Sequence, residues 1–236
     1  MSFNDLHQRA LDRRFQTDKD ALYDDESKIG EGATNSTHMS PRGYVVKSIP
    51  YDWESKDPFE QEEIVNSVDR FPWVEVDELK SDAPYNTVMV RMNAADLPQN
   101  EVQSTFSVPD IIRDDMELLF DLRQNHAITY RDFKPDNLEY FWSEERDFER
   151  KPVDIFGGDA WEIEDALDTR KFAGIIDTYL TGTPDEEGLT DIYPLSVIDA
   201  EREVMELLGL DETQSDGDPY HDMIDALEAS EYDFIE

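Results

Sequence analysis

Residues 130–138, Tyr-Arg-Asp-Phe-Lys-Pro-Asp-Asn-Leu, place two carboxylates, one amide and two cations within nine positions. Because Pro135 lacks a backbone N–H and Asp and Asn side chains close turns, this stretch predicts a loop. Apolar residues at helical spacing over 111–122 come before it, and the pair Ala127-Ile128 leads into it. We therefore expect a helix, a short strand and then this polar loop. Taken alone, the loop can also be interpreted as a charged surface turn.

The segments on the N-terminal side of this loop are mainly strands. Apolar runs predict strands at 43–49, 73–76 and 87–92, and Pro50 ends the first of them. Asp57-Pro58 has the pattern that opens a helix, with proline in the first turn. On the C-terminal side, the patterns favour helices at 172–180, 197–208 and 220–229.

This order of elements predicts an α+β fold, in which a small mixed sheet lobe is followed by a mostly helical lobe. The expected organisation is an N-terminal helical extension at 1–28, a sheet-containing lobe at 29–95, a helical lobe at 96–210 and an acidic C-terminal segment at 211–236. The N-terminal helix is polar, and its apolar residues share a rough face: Phe3, Leu6, Ala10, Leu11 and Phe15.

Composition excludes several classes of protein. The 236 residues include no cysteine, so disulfide scaffolds, cysteine zinc sites and cysteine nucleophiles are excluded. No run of 18 apolar residues is present, and we expect no membrane-spanning segment. With 58 acidic and 21 basic residues the net charge is -37, which would repel nucleic-acid phosphates and anionic membranes. We expect no direct binding to nucleic acid.

The acidic residues are interleaved with apolar ones instead of forming a single tail, and lysine is scarce. This pattern resembles proteins from organisms with molar intracellular salt. Salt near 1 M screens charge repulsion beyond about 3 Å, so a carboxylate-rich surface becomes tolerable there. The expected location is the cytoplasm of a high-salt cell, or a virion from such a host.

The loop at 130–138 resembles the catalytic loop of protein kinases in its Ser/Thr-specific form, which has Arg, Asp, an apolar residue, Lys, Pro and Asn in this order. The resemblance implies that Asp132 meets the substrate hydroxyl and that Lys134 reaches the transferred phosphoryl group. It further implies that Asn137 holds Mg²⁺. The implied cofactors are ATP and Mg²⁺.

Weaker matches to the same family lie earlier in the chain. Gly30 and Gly32 look like the start of a glycine-rich loop over ATP, although Asn35 stands where a third glycine is usual. Lys47 looks like the strand lysine that pairs with the α- and β-phosphates, and Glu63 or Glu62 like the helix glutamate that pairs with it. In this comparison, residues 90–92 correspond to the hinge.

Further matches follow the loop. Asp154, in Asp-Ile-Phe-Gly at 154–157, is the nearest candidate for the metal-binding Asp-Phe-Gly motif, which is itself missing. Residues 181–184, Thr-Gly-Thr-Pro, resemble the end of an activation segment. Asp191 resembles the aspartate that braces the catalytic loop. The Ala-Pro-Glu element is absent.

The expected function is therefore that of a divergent kinase-like protein, with ATP- and Mg²⁺-dependent phosphoryl transfer to a Ser/Thr or small-molecule hydroxyl if it is active. Because the glycine loop and the metal motif depart from the kinase pattern, an inactive pseudokinase is also a possible interpretation. The same departures also favour an alternative, a non-enzymatic structural or interaction protein of a halophilic assembly, such as a virion head or head-tail connector component. An acidic nucleic-acid mimic is a second alternative. The expected partner is a protein substrate or an assembly partner.

Overall fold

The computed structural model describes residues 3–31, 36–51, 57–79, 86–97, 99–144, 147–156, 161–163, 169–184 and 186–207. The fold is α+β, and a sheet-containing region comes before most of the helices, which confirms the predicted class. The chain divides into two compact units. The first comprises 1–94 with 156–158, and the second 95–155 with 159–236.

The first unit is built on a five-stranded antiparallel sheet with the strand order β1-β2-β3-β5-β4. Its elements are α1 (Phe3–Ala21), β1 (Lys28–Glu31), β2 (Ser36–Met39), β3 (Tyr44–Tyr51), α2 (Pro58–Ser67), β4 (Val74–Leu79) and β5 (Asn86–Asn93). Helix α2 begins as predicted. The Asp57 side chain accepts a hydrogen bond from the backbone N–H of Phe59 at 3.0 Å, and Pro58 stands in the first turn.

Strand β5, which pairs with β3 on one side and with β4 on the other, corrects the predicted hinge at 90–92. Residues 88–92 are all buried, so the strand is covered on both faces. Arg91 lies opposite Val46 of β3 and Glu75 of β4, well inside the ladder. A segment paired on both sides is fixed by hydrogen bonds, and the strand continues as far as Asn93.

Helix α1 is attached to the sheet by charge. Of the predicted apolar face, Ala10 and Leu11 are exposed and Phe15 is half-buried, whereas the side chains of Phe3 and Leu6 lie outside the described residues. Asp18 of the same helix is fully buried. The Asp18 carboxylate accepts from the Arg91 guanidinium at 2.6 Å, from Arg42 at 3.2 Å and from the Ser40 hydroxyl. A buried carboxylate needs such partners, because its desolvation costs several kcal/mol.

The second unit is mostly helical. Its elements are α3 (Gln99–Thr105), α4 (Val108–His126), β6 (Ile128–Tyr130), β7 (Leu138–Ser143), β8 (Asp147–Pro152), β9 (Trp161–Ile163), α5 (Thr169–Thr181), α6 (Leu189–Ile192) and α7 (Val197–Leu207). Strands β6 and β9 pair in an antiparallel manner, and β7 and β8 form a hairpin. The helix predicted at 220–229 lies outside the described residues. None of the described helices is long and apolar enough to cross a membrane.

Helix α4 delivers the chain to the polar loop. Ser107 and Asp110 form a capping box at its start, and Ala127 ends it with a left-handed φ of 53°. The predicted apolar side is buried in the core, with the exception of Phe120, which is half-buried: Ile111, Ile112, Met116, Leu119 and Leu122. Residue 128 then starts β6, so the predicted order of helix, strand and loop is confirmed.

A buried ion pair joins α4 to the hairpin. Arg150 on β8 donates to Asp115 on α4 at 2.5 Å and 3.3 Å, and the Tyr179 hydroxyl of α5 donates to the same carboxylate at 2.5 Å. Asp115 lies on the apolar side of α4, between Ile112 and Met116. No motif in the sequence singles it out.

Candidate functional site

The polar loop between β6 and β7 is closed by Asn137. Its side-chain amide donates to the Asp132 carboxylate at 2.6 Å and to the Asp132 carbonyl at 3.0 Å. Residues Pro135–Asn137 form a short 3-10 helix. The backbone carbonyl of Asn137 accepts from the N–H of Val153, beyond the hairpin, at 2.8 Å. The loop is therefore held both internally and by the strand that leads to Asp154.

Aromatic packing fixes the same loop from below. Phe133 is buried, and its ring lies 5.1 Å from that of Tyr179 and 6.3 Å from that of Tyr130, measured between centroids. Because Phe133 points into the core, the adjacent side chains of Asp132 and Lys134 stay only partly buried. Alternation of this kind anchors a loop while its polar groups remain accessible.

Lys134 lies between two carboxylates. Its Nζ is 3.3 Å from Asp132 Oδ1 and 2.8 Å from Glu186 Oε1. Burial opposes the charged form, but the hydrogen bond to Glu186 and the charge of Asp132 prevail and raise the pKa of Lys134 above its usual value. Lys134 therefore carries its charge at neutral pH, as a group that neutralises a phosphate must.

A tight turn presents Glu186 to Lys134. Gly182 has a φ of +74°, and a Cβ there would lie 2.5 Å from the backbone of Glu186 and Gly188. Thr183 and Glu186 exchange backbone hydrogen bonds at 2.9 Å and 3.2 Å. The Thr-Gly-Thr-Pro segment at 181–184 thus forms the first part of a loop that is closely packed on itself.

Asp154 lies at the end of the hairpin, beside Tyr130. The Tyr130 hydroxyl donates to the Asp154 carbonyl at 3.0 Å. Burial, with the charges of Asp132 and Asp154 adding to it, raises the pKa of Tyr130 well above its ordinary value. Tyr130 therefore remains a neutral donor, and both carboxylates lie close enough to act on its hydroxyl.

The second unit thus brings together four predicted site residues. Asp132 contacts Lys134 and Asn137 directly, and Asp154 is joined to the loop through Tyr130 and through the bond from Val153. An amide oxygen and a carboxylate are the hard oxygen donors that Mg²⁺ takes, so Asn137 and Asp154 fit the chemistry of that ion. Within the described residues, no three His, Asp or Glu side chains are grouped as a metal site by themselves.

The remaining predicted residues belong to the first unit. Lys47 is on β3, opposite Thr37 of β2 and Val90 of β5. Gly30 is on β1 opposite Thr37, next to an irregularity in the ladder. Gly32 lies outside the described residues.

Helix α2 distinguishes the two candidate glutamates. Glu62 forms a hydrogen bond with the backbone of Val76 on β4, and its pKa is raised by burial and by its acidic neighbours. Glu63, the next residue, is exposed. Since Glu62 is engaged by β4, Glu63 is the better candidate for pairing with Lys47, and that pairing stays a prediction.

Sequence reasoning missed Glu186 as a member of the site. The available signal was its position two residues after Thr-Gly-Thr-Pro, a segment that predicts a turn. In a chain with 58 acidic residues, one glutamate beside such a turn does not stand out. No protein-family model matches the chain, and a search of curated proteins found no match either.

Proposed function

We propose that the protein is a divergent kinase-like phosphotransferase, which uses ATP and Mg²⁺ to phosphorylate a hydroxyl group. The observation that carries this proposal is the contact set in the loop, where Lys134 and Asn137 both contact the Asp132 carboxylate, at 3.3 Å and 2.6 Å. In the resemblance these three residues serve phosphoryl transfer, and Asp154 follows Val153, whose backbone N–H is bonded to Asn137.

Each group has a defined task in the proposed reaction. Asp132 orients the attacking hydroxyl and accepts its proton. Lys134 leaves Glu186, binds the γ-phosphate in its place and offsets the negative charge of that phosphate. Asn137 and Asp154 would hold Mg²⁺, which when bound neutralises the phosphate oxygens. Phosphoryl transfer needs little covalent chemistry from the protein, so positioning and charge neutralisation suffice.

The first unit supplies the proposed nucleotide contacts. Lys47 stands on the third strand of the sheet, where kinases carry the lysine for the α- and β-phosphates. Glu63 would hold that lysine in place. Backbone groups at Gly30 and Gly32 would cover the phosphates. These nucleotide contacts are tested first.

Nucleotide binding is tested by thermal unfolding in about 2 M KCl, which screens surface charge to within a few Å. ATP with Mg²⁺ at about 100 times its dissociation constant should stabilise the chain by roughly 2.7 kcal/mol. Lys47→Met should remove this stabilisation. A well-folded protein without any shift would contradict the proposal and favour the interaction protein.

Catalysis is tested by ADP release with the same protein. Asp132→Asn should lower turnover by about 100-fold or more, the usual contribution of a positioned acid-base group. Asp136→Asn is the matched control, because Asp136 is an exposed aspartate in the same loop. Normal turnover in Asp132→Asn, or an equal loss in both variants, would remove Asp132 from the mechanism.

A further inference from the structure

An arginine-lined pocket lies on the first unit, although the chain carries a net charge of -37. Its volume is about 750 Å³. The cationic side chains lining it are Arg9, Arg13, Arg14 and Arg42, with His7 beside them. None of the described residues in its lining is acidic. Four of the chain's 21 lysines and arginines therefore surround one concave surface.

Three of these arginines come from a single helix, α1, which concentrates their charge along it. Arg9 and Arg13 are four residues apart on α1, so their side chains lie on one face. Like charges at this spacing destabilise an isolated helix by about 0.2–0.5 kcal/mol. A bound anion would turn this repulsion into attraction, and that is a physical reason for the spacing.

Two of the guanidinium groups are fixed before any ligand arrives. Arg14 forms an ion pair with Glu75 of β4, and Arg42 lies 3.2 Å from the buried Asp18. Both guanidinium groups also contact the ring of Tyr44. The Cζ atoms of Arg14 and Arg42 lie 5.9 Å and 5.3 Å from the ring centroid. Groups held in this way lose little conformational entropy when they bind a ligand.

In the part of the chain that the structure describes, the positive charge of Arg13 is not balanced by a paired carboxylate, in contrast to the charges of Arg14 and Arg42. Arg14, Arg42 and the buried Arg91 share the carboxylates of Asp18, Glu75 and Asp77. Arg13 is exposed, and among the described residues no carboxylate pairs with it. The pocket therefore combines fixed guanidinium groups with one that is available to a ligand.

We propose that this pocket binds a small anion that carries several phosphate groups. Guanidinium groups match phosphate oxygens in pairs, and each phosphate brings more charge than a carboxylate. The volume suits a small molecule, and Ala10 and Leu11 add apolar lining. A long nucleic acid would extend beyond the cluster onto a strongly acidic chain, which would repel it.

Calorimetric titration of the full chain with inorganic tripolyphosphate tests this proposal, at a KCl concentration where the chain is folded. We expect one saturable site. Arg13→Gln should weaken binding about tenfold or more, the value of a charge-assisted hydrogen bond. Arg113→Gln is the matched control, because Arg113 is a half-exposed helix arginine in the second unit. It should leave the affinity within about twofold.

Lys47→Met separates this pocket from the proposed nucleotide site, because the pocket does not include Lys47. Tripolyphosphate binding should survive in that variant. The proposal is overturned if no saturable binding occurs, if Arg113→Gln weakens binding as much as Arg13→Gln, or if only Lys47→Met abolishes it. Tighter binding of a single-stranded RNA, or of a peptide with the acidic sequence 211–236, would also overturn it.

Discussion

Two carboxylate clusters in the second unit contain similar groups but differ in exposure. Asp115 and Arg150 are fully removed from solvent, and the Tyr179 hydroxyl also donates to Asp115. The side chains of Asp132 and Lys134 are 36 % and 23 % exposed. The first cluster is closed by a rigid guanidinium group and cannot take a ligand. The second is held by an ammonium group on a flexible stem, which can exchange a carboxylate for a phosphate. Exposure and cation type therefore distinguish a structural cluster from a candidate site.

Replacing the aspartate with asparagine in each cluster should give the largest difference in the free energy of unfolding. Asp115→Asn leaves Arg150 buried without its counter-charge and should lower the free energy of unfolding by about 3–5 kcal/mol. Asp132→Asn should lower it by less than about 1 kcal/mol, because its partner is partly solvated. Urea titration in KCl measures both values. Equal losses would show that the two clusters have the same structural role.

Arg91→Met tests the buried cluster of the first unit, in which Arg91 bonds Asp18. It asks whether this cluster depends on one ion pair as strongly as the Asp115 cluster does. The substitution removes the 2.6 Å bond to Asp18, but Arg42 and Ser40 still bond that carboxylate. We expect a loss of about 1–3 kcal/mol, which is smaller than for Asp115→Asn. Glu78→Met, at an exposed position on β4, is the control. A loss as large as that of Asp115→Asn would mean that Arg42 and Ser40 do not compensate.

These buried clusters mark the limit of what the sequence predicts. The apolar spacing of α4 and the turn-forming residues after it are local patterns, so they predicted the helix and the loop. The pairing of Asp115 with Arg150 joins residues 35 positions apart, and no local pattern encodes it. Asp18 was missed for the same reason, since its partner Arg91 is 73 positions away.

The candidate site divides in the same way. Asp132, Lys134 and Asn137 lie within six residues, so one motif predicted their proximity. Glu186 is 52 positions from Lys134, and only folding brings the two together. The error at 90–92 has a different source, because the resemblance suggested a hinge where pairing with β3 continues the strand to Asn93.

Glu186→Gln probes how firmly the exposed cluster positions Lys134. The variant keeps the shape of the side chain but removes one of the two carboxylates that raise the pKa of Lys134, so that pKa should fall. Stability should change by less than about 1 kcal/mol, as for exposed pairs. Turnover should fall less than in Asp132→Asn. Glu187→Gln, at the exposed neighbouring position, is the control, and identical turnover in the two variants would exclude a positioning role for Glu186.

Glu139 on β7 is intermediate in exposure between the buried Asp115 cluster and the exposed Asp132 cluster. Its replacement should change the stability of the chain least. Burial raises its pKa, while Arg150 opposes that shift, and one of its carboxylate oxygens is buried without a hydrogen-bond partner. A raised folded-state pKa means that the folded chain loses stability as pH rises from the unfolded-state pKa through the folded-state one. Glu139→Gln should therefore stabilise the chain at neutral pH, and the gain should vanish below the unfolded-state pKa, where both forms are neutral. Denaturation at several pH values checks the sign.

A variant that is less stable than the parent at neutral pH would contradict this prediction. It would show that the attraction of Arg150 for the ionised Glu139 carboxylate outweighs the desolvation of that carboxylate. Glu139 would then belong with Asp115 in the buried cluster.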